Sequence, residues 1–231
     1  MSLSVDSRHC GKVYVITCVG RIVAGEESTV LETAVTRGVR EFTRVVLHVG
    51  EVSRVDSTGM GLLVRFLTHT RSRGGDFRLA SSPPFLTNLL SLTRLSSIFR
   101  VYDSEEEAIV SFLKGSAVPQ PDAAVAGPKV LFVDQSPDLC AFVRSVLHHH
   151  GYDVLSTCRV HDAKLLLTAG NVDYIVLGPD SSRLPSDSVL ASLRSLAPKA
   201  ATVLLHSEFK HRDAEQAGIE LLQMMQAGAQ S

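Results

Sequence analysis

Val55-Asp56-Ser57-Thr58-Gly59-Met60-Gly61, running into Leu62-Leu63-Val64-Arg65-Phe66-Leu67, decides the reading of the N-terminal half of the chain. The segment before it, Val45-Val46-Leu47-His48-Val49, is a hydrophobic strand. Asp56 and Ser57 are both good N-terminal caps, because their side-chain oxygens accept the unpaired backbone N–H groups of a first helical turn. Gly59 and Gly61 clear side chains from that turn, which lets another molecule approach the backbone closely. Leu62, Leu63, Phe66 and Leu67 then recur as the apolar stripe of a helix lying on a sheet. Met60 and Val64 sit on the shoulder of the stripe. Two readings stand for them: core packing, or an apolar docking patch beside Ser57.

Working outward, residues 3–24 read as strands. Val13-Tyr14-Val15-Ile16-Thr17-Cys18-Val19 is rich in β-branched and aromatic residues and is ended by Gly20. Glu26 to Phe42 reads as a helix with Val30, Leu31, Ala34, Val35 and Phe42 as its buried face and an acidic first turn. Gly38 lies on that face and weakens the second half of the helix by about 1 kcal/mol against Ala. The helix that starts at the Asp56-Ser57 turn runs to about Arg73. Gly74-Gly75 closes it and opens the strand 76–80. A short helix follows Pro83-Pro84 to Leu92. Ile98 to Tyr102 is a strand, and a last helix starts at Ser104-Glu105-Glu106-Glu107 and reaches about Lys114.

Residues 115–127, rich in Pro, Ala and Gly, read as a stiffened linker. Residues 128–231 then alternate short apolar strands (130–133, 152–157, 173–177, 202–205) with helices (137–150, 163–168, 188–196), the pattern of a parallel sheet covered on both faces. Residues 210–226 have the spacing of one terminal helix, with Gly218 counting against it. The fold class is α/β in two domains, 1–114 and 128–231.

The composition is that of an ordinary globular protein: 231 residues, 45% hydrophobic, 20% charged and a net charge of −1. No basic tract points to nucleic acid. No apolar run is long enough for a membrane span or a signal peptide, so a cytoplasmic protein is expected. The four cysteines, Cys10, Cys18, Cys140 and Cys158, lack metal-type CxxC spacing and read as free, mostly buried thiols in a reducing compartment. His148-His149-His150 point in different directions on a helix and so do not converge on a metal. Arg71, Arg73 and Arg78 read as a solvated face. No cofactor, metal site or catalytic constellation is expected, and the chain does not read as an enzyme.

Asp56-Ser57-Thr58-Gly59-Met60-Gly61 resembles the Asp-Ser-Ser/Thr-Gly-Leu-Gly motif of STAS domains of the anti-sigma factor antagonist type. Phe99-Arg100-Val101-Tyr102-Asp103-Ser104-Glu105-Glu106-Glu107-Ala108 is similar to the end of such domains, so the resemblance covers about residues 3–114. It implies a mixed sheet with helices. It also implies a serine, Ser57, that a partner serine kinase phosphorylates. Unphosphorylated protein would bind that kinase, an anti-sigma factor, and so release a sigma factor; phosphorylation would reverse this. Asp56, Thr58, Gly59, Met60, Gly61 and Val64 would form the partner surface. The family often has an aspartate where Val23 stands. The alternative is a scaffold or transporter-accessory STAS domain without a phosphoswitch.

The second domain resembles a response-regulator receiver at Val130 to Leu139, at Leu147 to Val154 and at Asp173 to Leu177. The departures carry the reading. Of the usual acidic pair Asp134 remains, but its neighbour is Gln135. Gly178 stands at the phosphoacceptor position, His206 at the switch threonine, and no lysine follows. Asp180 lies two residues into the next loop. A true receiver, with self-catalysed phosphotransfer, is thereby disfavoured. A receiver-like interaction module without phosphate is expected, forming a homodimer or an interdomain contact. Such a module is expected to have neither a fifth strand nor a fifth helix, so an apolar face should be left for a partner, a second copy or the first domain to cover.

Overall fold

The computed structural model describes residues 2–114, 127–181, 186–211 and 214–228. The linker expected at 115–127 lies outside these apart from Gly127. The chain divides into two compact units, Met1–Pro121 and Asp122–Ser231. No helix of the described residues is long and apolar enough to cross a membrane.

The first unit holds β1 (Ser4–Cys10), β2 (Val13–Ile22), α1 (Glu26–Glu41), β3 (Arg44–Val55), α2 (Ser57–Ser72), β4 (Asp76–Ala80), α3 (Pro84–Leu92), β5 (Arg100–Tyr102) and α4 (Glu105–Lys114). Its strands lie in the order β5-β4-β3-β2-β1. The β1–β2 hairpin is antiparallel and the other pairs are parallel, giving a mixed sheet. One face carries α1, α2 and α3, whose Leu31, Val35, Leu63, Phe66, Leu67, Leu86 and Leu90 meet Ile16, Leu47, Phe77 and Leu79 in one core. Residues on α2 show why it forms. Its two glycines cost about 1 kcal/mol each in helix propensity. Burying Leu62, Leu63, Phe66 and Leu67 returns about 2 kcal/mol apiece, so packing decides. On the opposite face Arg78 lies with its guanidinium carbon 3.5 Å from the centre of the Phe112 ring of α4, and it donates to Ser111 Oγ.

Several expectations are corrected. Gly20 does not end β2. The strand runs on to Ile22, with Gly20 at φ 113° where the register against β3 shifts. A glycine can absorb such an irregularity, so pairing continues. β3 accordingly extends past Val49 to Val55, and Ile22 pairs with Val55. Val30 is exposed, and the buried face of α1 is Leu31, Val35, Gly38 and Val39. Gly38 does not weaken the packing of that helix: a Cβ there would lie 2.0 Å from Cε1 of Tyr14, so the ring needs the glycine. Ile98 and Phe99 are not strand; their amides bond to Leu95 O in a turn.

The second unit holds β6 (Lys129–Val133), α5 (Pro137–His149), β7 (Asp153–Thr157), α6 (Val160–Ala169), β8 (Tyr174–Leu177), α7 (Ser186–Arg194), β9 (Ala201–Leu204) and α8 (Ala214–Gly228). Its strands are all parallel, in the order β7-β6-β8-β9. That is the doubly wound pattern, with the chain reversing direction across the sheet after β7. The terminal segment is one helix, as its spacing suggests. Here a further expectation fails. Ala217, Leu221 and Met225 of α8 pack with Cys140, Val143 and Leu147 of α5 over Val130, Phe132, Val176 and Val203. The chain therefore covers with α8 the face that was expected to need a partner.

Candidate functional site

The extended β2 and β3 bring Ile22 and Val55 together at one end of the first sheet, and α2 starts there. Asp56, not Ser57, is the cap: its Oδ1 accepts the Gly59 N–H at 2.8 Å. Its other oxygen, Oδ2, accepts the Ala24 N–H at 2.9 Å, from the loop before α1. The backbone N–H of Asp56 donates to Ile22 O at 3.3 Å. One carboxylate thus ties the ends of β2 and β3 to the starts of α1 and α2. The Ala24 amide first, then the Gly59 amide, hold its carboxyl below the ordinary aspartate range.

Ser57 is the first residue of α2. It is exposed, and its hydroxyl makes no hydrogen bond among the described residues. Thr58 and Gly61 are exposed beside it, and Val64 is half-buried. Gly61 has open space where a Cβ would stand, which matches a surface that another molecule can approach. Gly59 does not fit that expectation. It is buried, and a Cβ there would stand 2.2 Å from Ile22 O, so the close approach it permits is to its own chain. Met60 is also removed from the partner surface: only 7% exposed, it belongs to the core. The sequence pattern placed it at the shoulder of the stripe, but it is buried in the same core cluster as Ile22, Val55, Leu62 and Leu63. Ala24, which the sequence did not single out, is part of the clamp. No side-chain signal could have marked it, because it contributes a backbone N–H.

Residues 4–108 match the family model described as the STAS domain. The N-terminal unit carries a STAS domain. Two curated relatives match part of it. One, from Thermotoga maritima, is named for a candidate role as an anti-sigma factor antagonist and is 34% identical over 68 residues, 29% of this chain and 60% of that protein. Its homologue from Thermotoga neapolitana is 32% identical over the same shares. The chain thus spans 60% of the length of the curated relatives it matches. A crystal structure of a Thermotoga maritima protein with the same assigned role is 24% identical with a TM-score of 0.43, over 46% of this chain and 91% of that one.

In the second unit Asp134, Gly178 and His206, singled out by the expected resemblance to a receiver, fall just past the ends of β6, β8 and β9. Asp134 is fully buried. Its Oδ1 accepts the Ser136 N–H at 2.8 Å and its Oδ2 the Asp180 N–H at 2.9 Å. Gln135 and His206 are exposed, and the Gln135 N–H donates to Asp180 O at 3.1 Å. Gly178 is buried against Asp134. A Cβ on Gly178 would lie 2.2 Å from Asp134 Oδ2 and 2.6 Å from its Cβ. The Asp134 carboxylate therefore occupies the space that a side chain at 178 would need. Asp180 contributes its backbone N–H and C=O to this loop.

Proposed function

We propose that the protein is an anti-sigma factor antagonist whose STAS domain binds a serine-kinase anti-sigma factor and is released from it by phosphorylation of Ser57. The observation that carries the reading is the placing of Ser57: an exposed, unengaged hydroxyl at the first position of α2, held there by the Asp56 clamp. A phosphate on it adds about −1.5 to −2 charge. The N-terminus of α2 favours an anion, so the fold tolerates the modification. A docked partner surface over Thr58, Gly61 and Val64 does not, unless it supplies cations. An unpaired charge there costs about 3 kcal/mol, roughly a hundredfold in affinity.

The second unit is read as a receiver-like module that works in the cytoplasm without phosphate, by contact with a partner, a second copy or the STAS domain. Support comes from Gly178, which has no nucleophile, and from Asp134, whose two carboxylate oxygens are already engaged by backbone amides.

The test is to incubate the full chain with its cognate serine kinase and ATP and to locate phosphate by fragmentation mass spectrometry. Phosphate on Ser57, kinase capture by Ser57→Ala at all times, and a loss of capture by roughly a hundredfold in Ser57→Asp are the expected results. Phosphate on Thr58 alone sinks the assignment. Capture of the partner without any phosphate uptake replaces it with a docking scaffold. Incubation of the full chain with acetyl phosphate and Mg²⁺ should leave no acid-labile phosphate on Asp134 or Asp180.

A further inference from the structure

Two thiols of the second unit converge where nothing in the proposed function uses them. Cys140 sits in the first turns of α5 and is fully buried; Cys158 follows the end of β7 and is half-buried. Their sulfurs lie within 4.8 Å of one another. The Cys140 thiol donates to Asp134 O at 3.3 Å and lies 3.9 Å from Thr157 O. Asp134 directly follows β6 and Thr157 ends β7, so the Cys140 sulfur on α5 is bedded against the ends of both strands. We propose that Cys140 and Cys158 are a redox-responsive dithiol that closes to a disulfide in response to a peroxide.

The two sulfurs have different environments, which assigns their roles. Cys158 is the one that solvent reaches. Its interaction with the Cys140 thiol lowers it from the usual range, with Arg159 in the same direction, against the opposing effects of burial and of the Asp134 and Asp162 carboxylates. Cys140 is pushed upward, first by that same interaction and then by burial. Cys158 is therefore the attacking sulfur and Cys140 the resolving one. The Cys158 thiolate attacks one peroxide oxygen; the O–O bond breaks, a proton is taken up, and water leaves with a sulfenic acid on Cys158. The Cys140 sulfur then attacks the Cys158 sulfur, the S–O bond breaks, and a second water leaves. Two thiols lose two electrons and two protons, and one peroxide becomes two waters. A dithiol reductant reverses the cycle by exchange. Closing the bond takes the Cys140 thiol away from Asp134 O, in the loop where Asp134, Gln135 and Asp180 are joined by backbone hydrogen bonds. Oxidation thus acts on the same end of the sheet as the silent receiver positions.

The experiment treats the native full chain with a small excess of hydrogen peroxide, blocks remaining thiols with N-ethylmaleimide, and digests with trypsin. Cleavage after Lys129, Arg144 and Arg159 puts the two cysteines on separate peptides, 130–144 and 145–159. The expected result is one linked pair of these peptides, about 2 Da lighter than their sum, which dithiothreitol separates. Cys158→Ser should abolish the link. Cys140→Ala should leave Cys158 as a sulfenic acid that dimedone traps. Without peroxide, maleimide should modify Cys158 at least roughly tenfold faster than Cys18, whose burial pushes its thiol up to about 12. Both cysteines recovered as maleimide adducts after peroxide, or a link to Cys10 or Cys18 instead, overturns the proposal. The mapping on the unaltered chain decides it even where a substitution prevents folding.

Discussion

Gly59→Ala and Gly61→Ala should move stability in opposite directions, although both put the same methyl group into the first turns of the same helix. Intrinsic propensity alone predicts that each stabilises by about 1 kcal/mol. At Gly61 nothing lies within 4 Å of the added Cβ, so the full gain of about 1 kcal/mol should appear. At Gly59 the Cβ would stand 2.2 Å from Ile22 O and 3.0 Å from both Ile22 Cγ2 and Val55 Cγ1. The nearest of these is a backbone atom in the β2–β3 ladder, which cannot swing aside as a side-chain end can. Overpacking of this kind costs about 3 kcal/mol or more, so the net effect is a loss of about 2 kcal/mol. For a domain of this size that is a fall in melting temperature of roughly 8 °C or more, against a rise of about 4 °C or more for Gly61→Ala. Calorimetry of the whole chain measures both, and hydrogen exchange on the peptide 55–65 assigns the change to α2. Equal stabilisation by both substitutions would refute the packing of α2 on Ile22, and with it the placing of Ser57.

Three further outcomes follow from the same packing. Gly38→Ala should destabilise by about 1 kcal/mol or more, because the clash with the Tyr14 ring exceeds the propensity gain, and should cost less in a Tyr14→Leu background; thermal melts of the four proteins check this. Met60→Arg should lower stability by about 3 kcal/mol or more in urea titration, since its site is in the core, whereas Val64→Arg should cost far less. Asp56→Asn should cost about 1 kcal/mol at pH 7, because one amide NH₂ would face the Ala24 N–H. The folded carboxyl lies below its usual value, so the stabilisation it confers is complete above about pH 4 and is lost as the pH falls through the depressed value. The two proteins should therefore converge in stability in acid, and a gap that widens there would contradict the clamp.

Most elements of both units were legible in the chain because their signals are local. Alternating and periodic apolar residues marked the strands and helices. Pro137 marked the start of α5 and Gly151 its end, whereas the Ser136 cap came only with the structure. Ser57 was legible for the same reason: a serine between a capping aspartate and glycines can be read from neighbours in sequence. What lay beyond the sequence depended on residues far apart along the chain. The lengths of β2 and β3 depend on a ladder that passes Gly20, and no local pattern reports which strand will pair across a register shift. Gly59 and Gly61 look alike as letters, and only the position of Ile22 makes one a packing glycine and the other an open one. Gly178 shows the same division. That it lacks a nucleophile is a property of the residue and was plain from the sequence. That Asp134 fills the space beside it, and that Cys140 and Cys158 meet near that loop, are decided by tertiary packing alone, since the sheet pairs Val133 with Thr157 and with Leu177, strand ends that lie 24 and 44 residues apart in the chain.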